Sequence, residues 1–364
     1  MRVLALSSYP INAAATRFRL EQFVEPLSER GIELTISPFL SGEQFREMYT
    51  RGGSVRKAFG LIGSVLRRIG DLTTTGKYDV LLVQREAMFF GPAVFEWLFQ
   101  KIGRLPMVLD LDDATYIRYV SPSYGRLGSA LKFFGKADRL IERASLVICG
   151  NRFIADYVES KGTRSIAVPT VVDTEKFVPG EKHNDVPVIG WIGTHSTYPF
   201  LERLFPTLKR LSEKHKFILK IVGAGTDSIQ LHSVEVVNEQ WNIDREISDF
   251  QSLDIGLYPI FASGAANSDW IAGKSGFKAI QYMAVGVPFV MSPVGVCGEI
   301  GEVDKTHFNA VTDEDWYDAI DKLLSDKGLR RQLGVAGREH SVRNFGLDVQ
   351  ADLIANALND VVRL

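Results

Sequence analysis

Short apolar runs alternate with longer amphipathic segments along the whole chain. The short runs are rich in Val, Ile and Leu and predict buried strands, whereas the longer segments place apolar residues at helical spacing. This alternation is typical of a parallel sheet covered by helices, so we predict a doubly wound α/β fold. The predicted strands are 3–8, 32–37, 79–84, 107–111, 145–149, 166–168, 188–192, 217–222, 234–237, 254–260 and 289–292.

The segments between these strands predict the helices. In the first helix, Arg17 and Arg19 point in directions about 200° apart. Only one of them can easily face the preceding loop, and Arg19 is expected to be solvated. The predicted helices are 17–30, 54–71, 91–103, 125–144, 151–161, 200–215, 246–252, 276–285, 313–326, 328–344 and 347–361.

A stretch without periodicity divides the chain into two α/β halves, which suits its 364 residues. Residues 169–187 contain three prolines and a run of charges, and we predict that they form a linker. The first domain is then 1–168 and the second 188–346. The last segment, 347–364, has one apolar side and is expected to pack back on the first domain.

Composition limits the class of protein. The chain is 45% hydrophobic and 24% charged, which is ordinary for a globular protein, and its net charge of −2 gives no reason to expect nucleic acid. Cys149 and Cys297 lie in apolar surroundings, so we expect free thiols in a reducing cytoplasm. Residues 1–8 are expected to form a strand rather than a signal peptide, and the chain has no apolar run of 18 residues.

The predicted helix 54–71 combines an apolar stripe with basic residues. Across residues 46–71, six Lys or Arg stand against two acids. Such a helix can lie on an anionic membrane surface, or it can pack on the sheet of its own domain. We favour packing as its primary role. The apolar stripe is Val55, Ala58, Phe59, Ile62, Val65, Leu66 and Ile69, and the bases off the stripe are Arg56, Lys57, Arg67 and Arg68.

A loop of small residues leads into the predicted helix 276–285 after the strand 254–260. The first turn of a helix offers backbone N–H groups and a positive dipole end, and here Lys274 and Lys278 add charge. Gly273 and Gly276 would allow the backbone to approach a ligand closely. The stretch therefore predicts a diphosphate site, and the alternative is a structural turn with two solvated lysines.

Polar side chains follow other predicted strands at the edge where open α/β sheets bind ligands. His195 lies in the loop after 188–192, where a satisfied loop histidine is an equal alternative. The acids 110, 112 and 113 cluster at another strand end. No further acid or histidine follows at ligand spacing, so we expect contacts to sugar hydroxyls rather than a metal site. The alternative is a capping cluster.

Several motifs resemble the GT-B glycosyltransferases, and more narrowly glycosyltransferase family 4 (group 1). The resemblance covers nearly the whole chain, although its specific motifs lie in the second half. They are Lys274-Ser-Gly-Phe-Lys278, Gln281-Tyr-Met-Ala284, Gly286, Pro288, Val172-Asp-Thr-Glu-Lys-Phe177, Gly190-Trp-Ile-Gly193 and Asp254-Ile-Gly-Leu-Tyr-Pro259.

This resemblance implies two Rossmann-like domains facing a central cleft and a retaining, metal-independent transfer of a sugar from a nucleotide-diphosphate donor, with no cofactor. The acceptor would be a glycan or a lipid-linked molecule, and the protein would work in the cytoplasm or at the inner membrane face, in cell-envelope polysaccharide synthesis. The implied donor-binding residues are Thr194, His195, Gly273, Lys274, Ser275, Gly276, Phe277, Lys278 and Gln281. The implied acceptor-binding residues are Asn12, Arg17, Arg85 and Asp113, and the implied catalytic residues are Asp112 and Lys278.

The chain also departs from the family pattern. The family's E-x7-E pair is missing, because Gly273 stands at the first glutamate and Gln281 at the second, ribose-binding one. Asp269 is a nearby substitute for the first. Asp112 stands where a histidine is common, and Thr194 and His195 follow Gly193 where the family has Arg and Lys. The loss of the E-x7-E pair leaves open a catalytically inactive scaffold that binds sugar nucleotides. The other alternative is a nucleotide-sugar 2-epimerase, which shares the GT-B architecture, although the carboxylates and histidines that its elimination chemistry needs are sparse here.

Overall fold

The computed structural model of the chain describes residues 1–48, 54–117, 133–181, 184–261 and 271–363. The chain forms two compact units. Unit 1 comprises Met1–Thr170 and Leu347–Leu364, and unit 2 comprises Val171–Gly346. Each unit contains its own six-stranded sheet, and the paired strands within each sheet are parallel. The predicted pair of doubly wound α/β sheets is therefore confirmed.

The sheet of unit 1 has the strand order β2-β1-β3-β4-β5-β6. The strands β3, β4 and β5 are buried at every residue, which explains why they appear in the sequence as continuous apolar runs rather than alternating ones. The strands are β1 (Arg2–Ser7), β2 (Glu33–Pro38), β3 (Val80–Gln84), β4 (Met107–Leu111), β5 (Leu146–Cys149) and β6 (Ser165–Ala167).

The helices of unit 1 surround this sheet. They are α1 (Ala14–Arg19), α2 (Val24–Glu29), α3 (Gly42–Met48), α4 (Ser54–Leu72), α5 (Val94–Gly103), α6 (Lys136–Arg143), α7 (Arg152–Ser160) and the last helix of the chain, α14 (Leu347–Arg363). Helix α14 packs against α2, where Arg30 donates a hydrogen bond of 2.6 Å to Asp352. The predicted helix 125–144 falls partly on residues 118–132, which lie outside the described residues.

The sheet of unit 2 has the order β12-β11-β10-β7-β8-β9. Its core contains Trp316. The strands are β7 (Val188–Ile192), β8 (Ile218–Val222), β9 (Glu235–Glu239), β10 (Ile255–Tyr258), β11 (Phe289–Met291) and β12 (Phe308–Asn309). The helices are α8 (Tyr198–Glu202), α9 (Phe205–Ser212), α10 (Glu246–Gln251), α11 (Phe277–Ala284), α12 (Asp313–Ser325) and α13 (Lys327–Phe345).

Two predicted helices are wrong as continuous elements, and proline explains both. The segment 17–30 is split into α1, a 3-10 turn at Glu21–Phe23 and α2, so that Pro26 falls in the first turn of α2. The segment 200–215 is likewise split into α8 and α9, each with a proline at its start. Proline has no N–H, so it fits only in the first turn, where that donor has no intrahelical partner.

Helix α4 packs on unit 1 as predicted, and Val65 contacts the core, but the other described residues of its apolar stripe do not face the sheet. Phe59, Ile62, Leu66 and Ile69 are exposed, whereas Arg68 is only 1% exposed and faces the protein interior. The guanidinium of Arg68 donates to backbone oxygens at the ends of three neighbouring segments, and these hydrogen bonds hold the helix on the sheet. Among the described residues, no helix is both long and apolar enough to cross a membrane.

Candidate functional site

The carboxyl ends of the strands in unit 2 define the first candidate site. The strand order reverses between β7 and β10, because the chain proceeds to β8 on one side and to β11 on the other. Ligands of open α/β sheets bind in the crevice at such a reversal. The loop Gly193–Thr197 follows β7 and the segment leading to α11 follows β10, so both predicted donor-binding segments lie at this edge.

Gly276 is the residue that precedes helix α11, and its backbone is in the left-handed region with φ of +63°. A Cβ atom at this position would lie 2.0 Å from Cδ1 of Ile300. Glycine is therefore required both by the turn and by the packing of Ile300. Ile300 fills the side of Gly276 on which a Cβ would lie, and the close approach of the Gly276 backbone to a ligand stays a prediction.

Lys278 lies in the first turn of α11, half-buried at the start of the helix. Its Nζ donates a hydrogen bond of 2.7 Å to Oε1 of Gln281, three residues further on. The same Nζ lies 5.2 Å from the centre of the Phe250 ring. The amide and the aromatic ring together fix the position of the ammonium group.

Gln281 is fully buried, with 0% of its surface exposed. Because Lys278 donates to Oε1, the other end of the amide is the NH2 group. That Nε2 is buried and has no hydrogen-bond partner in the structure. A buried donor without an acceptor costs about 1–3 kcal/mol, so an acceptor on a ligand would recover free energy there.

The other predicted donor-binding residues occupy two surface segments. Thr194 and His195 are exposed, and the Thr194 N–H donates to Thr197 Oγ1 at 3.2 Å, which closes the loop after β7. In the second segment, Lys274, Ser275 and Phe277 are half-buried and Gly273 is buried. Asp269, the suggested substitute for the first glutamate, lies outside the described residues.

The carboxyl edge of the unit 1 sheet holds the second candidate site. Arg85 directly follows β3 and has φ of +60°, a conformation that is uncommon for residues other than glycine. Its guanidinium contacts two carboxylates that follow the neighbouring strand β4. Arg85 Nε donates to Asp112 Oδ1 at 2.5 Å, and Nη2 donates to Asp112 Oδ2 at 2.6 Å and to Asp113 Oδ2 at 3.2 Å.

This pairing sets the ionisation of Asp112. Burial raises the pKa of Asp112, but the charge of Arg85 and its hydrogen bonds outweigh burial and leave the pKa below its usual value. Asp112 is therefore a carboxylate at neutral pH, with both oxygens bound to Arg85. Among the described residues, no group of three or more His, Cys, Asp or Glu is arranged to hold a metal ion.

The expectation that Arg19 is solvated is wrong. Arg19 is 4% exposed, and it forms a buried ion pair with Asp110 while Nη1 donates to the Val168 oxygen at 2.7 Å. The sequence contained no sign of this pair, because its two residues are 91 positions apart and meet only through the order of the strands.

The structure brings together Arg85, Asp112 and Asp113 among the residues predicted to bind the acceptor or to act in catalysis. Asn12 is exposed in the loop after β1. Its side chain lies close to the backbone of Gly42, because a Cβ atom built on Gly42 would be 3.0 Å from Asn12 Oδ1. Arg17 is half-buried, with its guanidinium 4.6 Å from the centre of the Phe18 ring. Their role in acceptor binding stays a prediction.

Comparison with known proteins agrees with the resemblance predicted from the sequence. Residues 186–326 match the family model of the "Glycosyl transferases group 1". No curated protein matches the chain significantly. The matched region contains β7 to β12 and α11, and therefore the whole candidate site of unit 2.

Solved structures of similar fold extend over both units. A sucrose-phosphate synthase from Thermosynechococcus elongatus is 14% identical, with 99% of both chains covered and a TM-score of 0.69. HepE from Anabaena, solved with UDP and glucose, is 16% identical, with 99% of this chain and 100% of that chain covered and a TM-score of 0.69. The lipopolysaccharide outer core galactosyltransferase WaaB is 12% identical, with 99% of both chains covered and a TM-score of 0.62.

These likenesses show that the chain has the GT-B fold. The family match of residues 186–326 supports the predicted class of enzyme, a glycosyltransferase that resembles group 1. At identities of 12–16% the solved structures establish the fold alone.

Proposed function

We propose that this protein is a retaining glycosyltransferase that moves a sugar from a nucleotide-diphosphate donor to a glycan or lipid-linked acceptor. We further propose that it acts in cell-envelope polysaccharide synthesis, in the cytoplasm or at the inner membrane face. The observation on which the proposal rests is the fixed ammonium group of Lys278 in the first turn of α11, inside the region that matches the family model.

Departure of a nucleoside diphosphate builds negative charge on the phosphate oxygens. Between Ile271 and Gly298 the sequence contains two lysines, Lys274 and Lys278, and no acidic residue. These lysines and the N-terminus of α11 would stabilise the developing charge, because fixed donors and charges lower the barrier without reorganising during the reaction. In this proposal Lys278 contacts the leaving diphosphate and no cofactor or metal takes part.

Gln281 would serve the donor in two ways. Its Oε1 positions Lys278, and its buried Nε2 is a hydrogen-bond donor for a ribose oxygen of the nucleotide. Because Gln281 is fully buried, this second role requires a small movement of its side chain or of the residues that cover it when the nucleotide binds.

Unit 1 would bind the acceptor. Arg85 presents a guanidinium that is held by Asp112 and Asp113, and 25% of its side chain is exposed. In this role Asp112 is a positioning residue for Arg85, since both of its oxygens accept hydrogen bonds from that guanidinium. An arginine fixed in this way suits hydroxyl or phosphate oxygens of an acceptor.

The experiment that tests the proposal measures binding and turnover in the same sample. Thermal-shift assays of the full chain with UDP, GDP and their sugars report binding, because a ligand raises stability by RT ln(1 + [L]/Kd). UDP compounds come first, since HepE was solved with UDP and with UDP-glucose. Release of the nucleoside diphosphate, with or without an acceptor, then reports turnover, and the anomeric configuration of the product reports retention.

The same experiment separates the inactive scaffold from the enzyme. The engagement of both Asp112 oxygens by Arg85 favours this second candidate, because it leaves Asp112 poorly suited to act as a base. Binding of a nucleotide sugar without hydrolysis or transfer across a panel of acceptors would support the scaffold. Absence of any stabilisation by nucleotides would contradict both functions.

A further inference from the structure

Helix α4 exposes its apolar side to solvent. Phe59, Ile62, Leu66 and Ile69 are 70%, 55%, 61% and 47% exposed. At 100° per residue these four positions fall within an arc of about 80°, so they form one continuous ridge along the helix. The ridge lies roughly opposite Ser64, which is buried against the protein, and therefore points directly away from unit 1.

The attachment of α4 to unit 1 explains how an apolar side can face outward. The guanidinium of Arg68 donates to the oxygens of Ser37 at 2.9 Å and of Ser7 and Ala87 at 3.0 Å. Val65 and Leu72 pack on the core. These contacts fix the helix through residues outside the ridge, and the exposed part of the ridge presents apolar surface to solvent at a cost in solubility.

The neighbouring helix α5 adds surface of the same kind. It packs against α4 and exposes Trp97 and Ile102, which are 42% and 62% exposed. The bases Lys101 and Arg104 are exposed near its end, and Arg67 is exposed on α4. Exposed apolar helix surface, a tryptophan and several cations on two packed helices are typical of segments that insert into the interface of an anionic bilayer.

We propose that the α4 ridge, defined as Phe59, Ile62, Leu66 and Ile69, docks unit 1 onto an anionic lipid bilayer. The inference deepens the proposed function and rests on it for the lipid-linked acceptor. Arg68 binds backbone oxygens at the carboxyl ends of β1 and β2, and Ala87 is two residues from Arg85. The ridge thus belongs to the same edge of unit 1 as the proposed acceptor site.

Charge favours lipid over a second copy of the chain as the occupant. The described residues of 42–72 contain five bases and three acids, and Arg68 and Asp71 form one pair within the segment. Two copies of this positively charged segment would repel each other, whereas an anionic headgroup layer would attract it. Arg56 is already paired with Glu43 and Glu47, which leaves the attraction modest. We therefore expect reversible attachment that weakens as salt increases.

Co-sedimentation of the full chain with vesicles tests the docking surface. Vesicles of phosphatidylcholine with phosphatidylglycerol should bind the wild-type protein at low salt, and pure phosphatidylcholine vesicles should bind it at least several-fold less. The variant Phe59→Ser/Leu66→Ser should lose binding by roughly tenfold or more, because two apolar side chains no longer enter the bilayer. It should keep wild-type thermal stability, since both residues are exposed.

The matched control is Val335→Ser/Val342→Ser on α13, which has the same spacing and exposed apolar residues but lies in unit 2. It should bind vesicles like the wild type. Equal binding by wild type and the Phe59→Ser/Leu66→Ser variant would overturn the inference, as would absence of wild-type binding at low salt. A wild-type dimer in sedimentation that the same variant converts to a monomer would also overturn it.

The affinity of the same samples for UDP can be measured without lipid, so it reports separately on the proposed function.

Discussion

The two units place charge differently at the carboxyl edges of their sheets. In unit 1 the arginines are ion-paired, Arg19 with Asp110 and Arg85 with Asp112. In unit 2 Lys278 is held by the neutral amide of Gln281, and the sequence around it contains no acid between Ile271 and Gly298. The first edge therefore presents guanidinium groups paired with carboxylates, whereas the second presents an ammonium group in the first turn of a helix, the arrangement that we propose to bind an anion.

The largest effect that we predict concerns the edge of unit 1. Asp110→Ala should lower the free energy of unfolding by about 3–5 kcal/mol, because it leaves the buried guanidinium of Arg19 without its carboxylate. Urea unfolding followed by circular dichroism measures the change. Asp352→Ala is the control, since it removes an ion pair with Arg30 in which the Asp352 side chain is 64% exposed, and it should cost about 1 kcal/mol or less. Equal effects of the two substitutions would contradict the assignment of a buried pair.

A second prediction concerns the dependence of stability on pH, because unit 2 buries the side chain of His307 in its neutral form. Burial lowers the pKa of His307 from 6.5 to about 4. The unfolded chain then binds a proton more readily than the folded one between these values, so stability should fall as pH decreases from about 6.5 to 4, by up to roughly 3 kcal/mol. At neutral pH this effect is absent.

Free energies of unfolding at pH 7 and pH 4.5 test this prediction. His307→Gln should reduce the loss of stability on acidification. His232→Gln, at an exposed histidine, should keep the wild-type loss. If the His307→Gln variant loses as much free energy of unfolding between pH 7 and pH 4.5 as the wild type, His307 does not cause the acid sensitivity of unit 2.

The smallest effect concerns the amide that holds Lys278. Gln281→Ala should weaken UDP binding by about 1 kcal/mol, roughly fivefold, because it removes the proposed neutral hydrogen bond from Nε2 to a ribose oxygen. Gln281→Glu should largely preserve binding, since a carboxylate can also accept from Lys278 and from a ribose hydroxyl. Isothermal titration measures both. Unchanged affinity of the Gln281→Ala variant for UDP would show that Gln281 is a core residue of α11 with no role in nucleotide binding.

The sequence predicted most of the fold because its strands are short apolar runs with helices between them. Positions that depend on strand order were not predictable in the same way: Arg85 and Asp112 are 27 residues apart and meet only because β3 and β4 are neighbours. Periodicity identified the apolar stripe on α4 but did not predict that most of it faces outward. The helix is attached to unit 1 through Arg68, whose backbone contacts the sequence does not reveal. The contact of Lys278 with Gln281 is local, at three residues, and follows from helical spacing.

The central claim is that the edge of unit 2, and not that of unit 1, binds the diphosphate of the donor. Isothermal titration of UDP and GDP against the full chain and two variants tests it most directly. Lys278→Ala should lose about 1.5–3 kcal/mol of binding free energy to the nucleotide that the wild type binds, because a charge-assisted contact is removed. Arg85→Ala should bind that nucleotide like the wild type, as should the charge control Lys209→Ala, at an exposed lysine of α9 in unit 2. Wild-type affinity in Lys278→Ala, or a comparable loss in Arg85→Ala, would contradict the account.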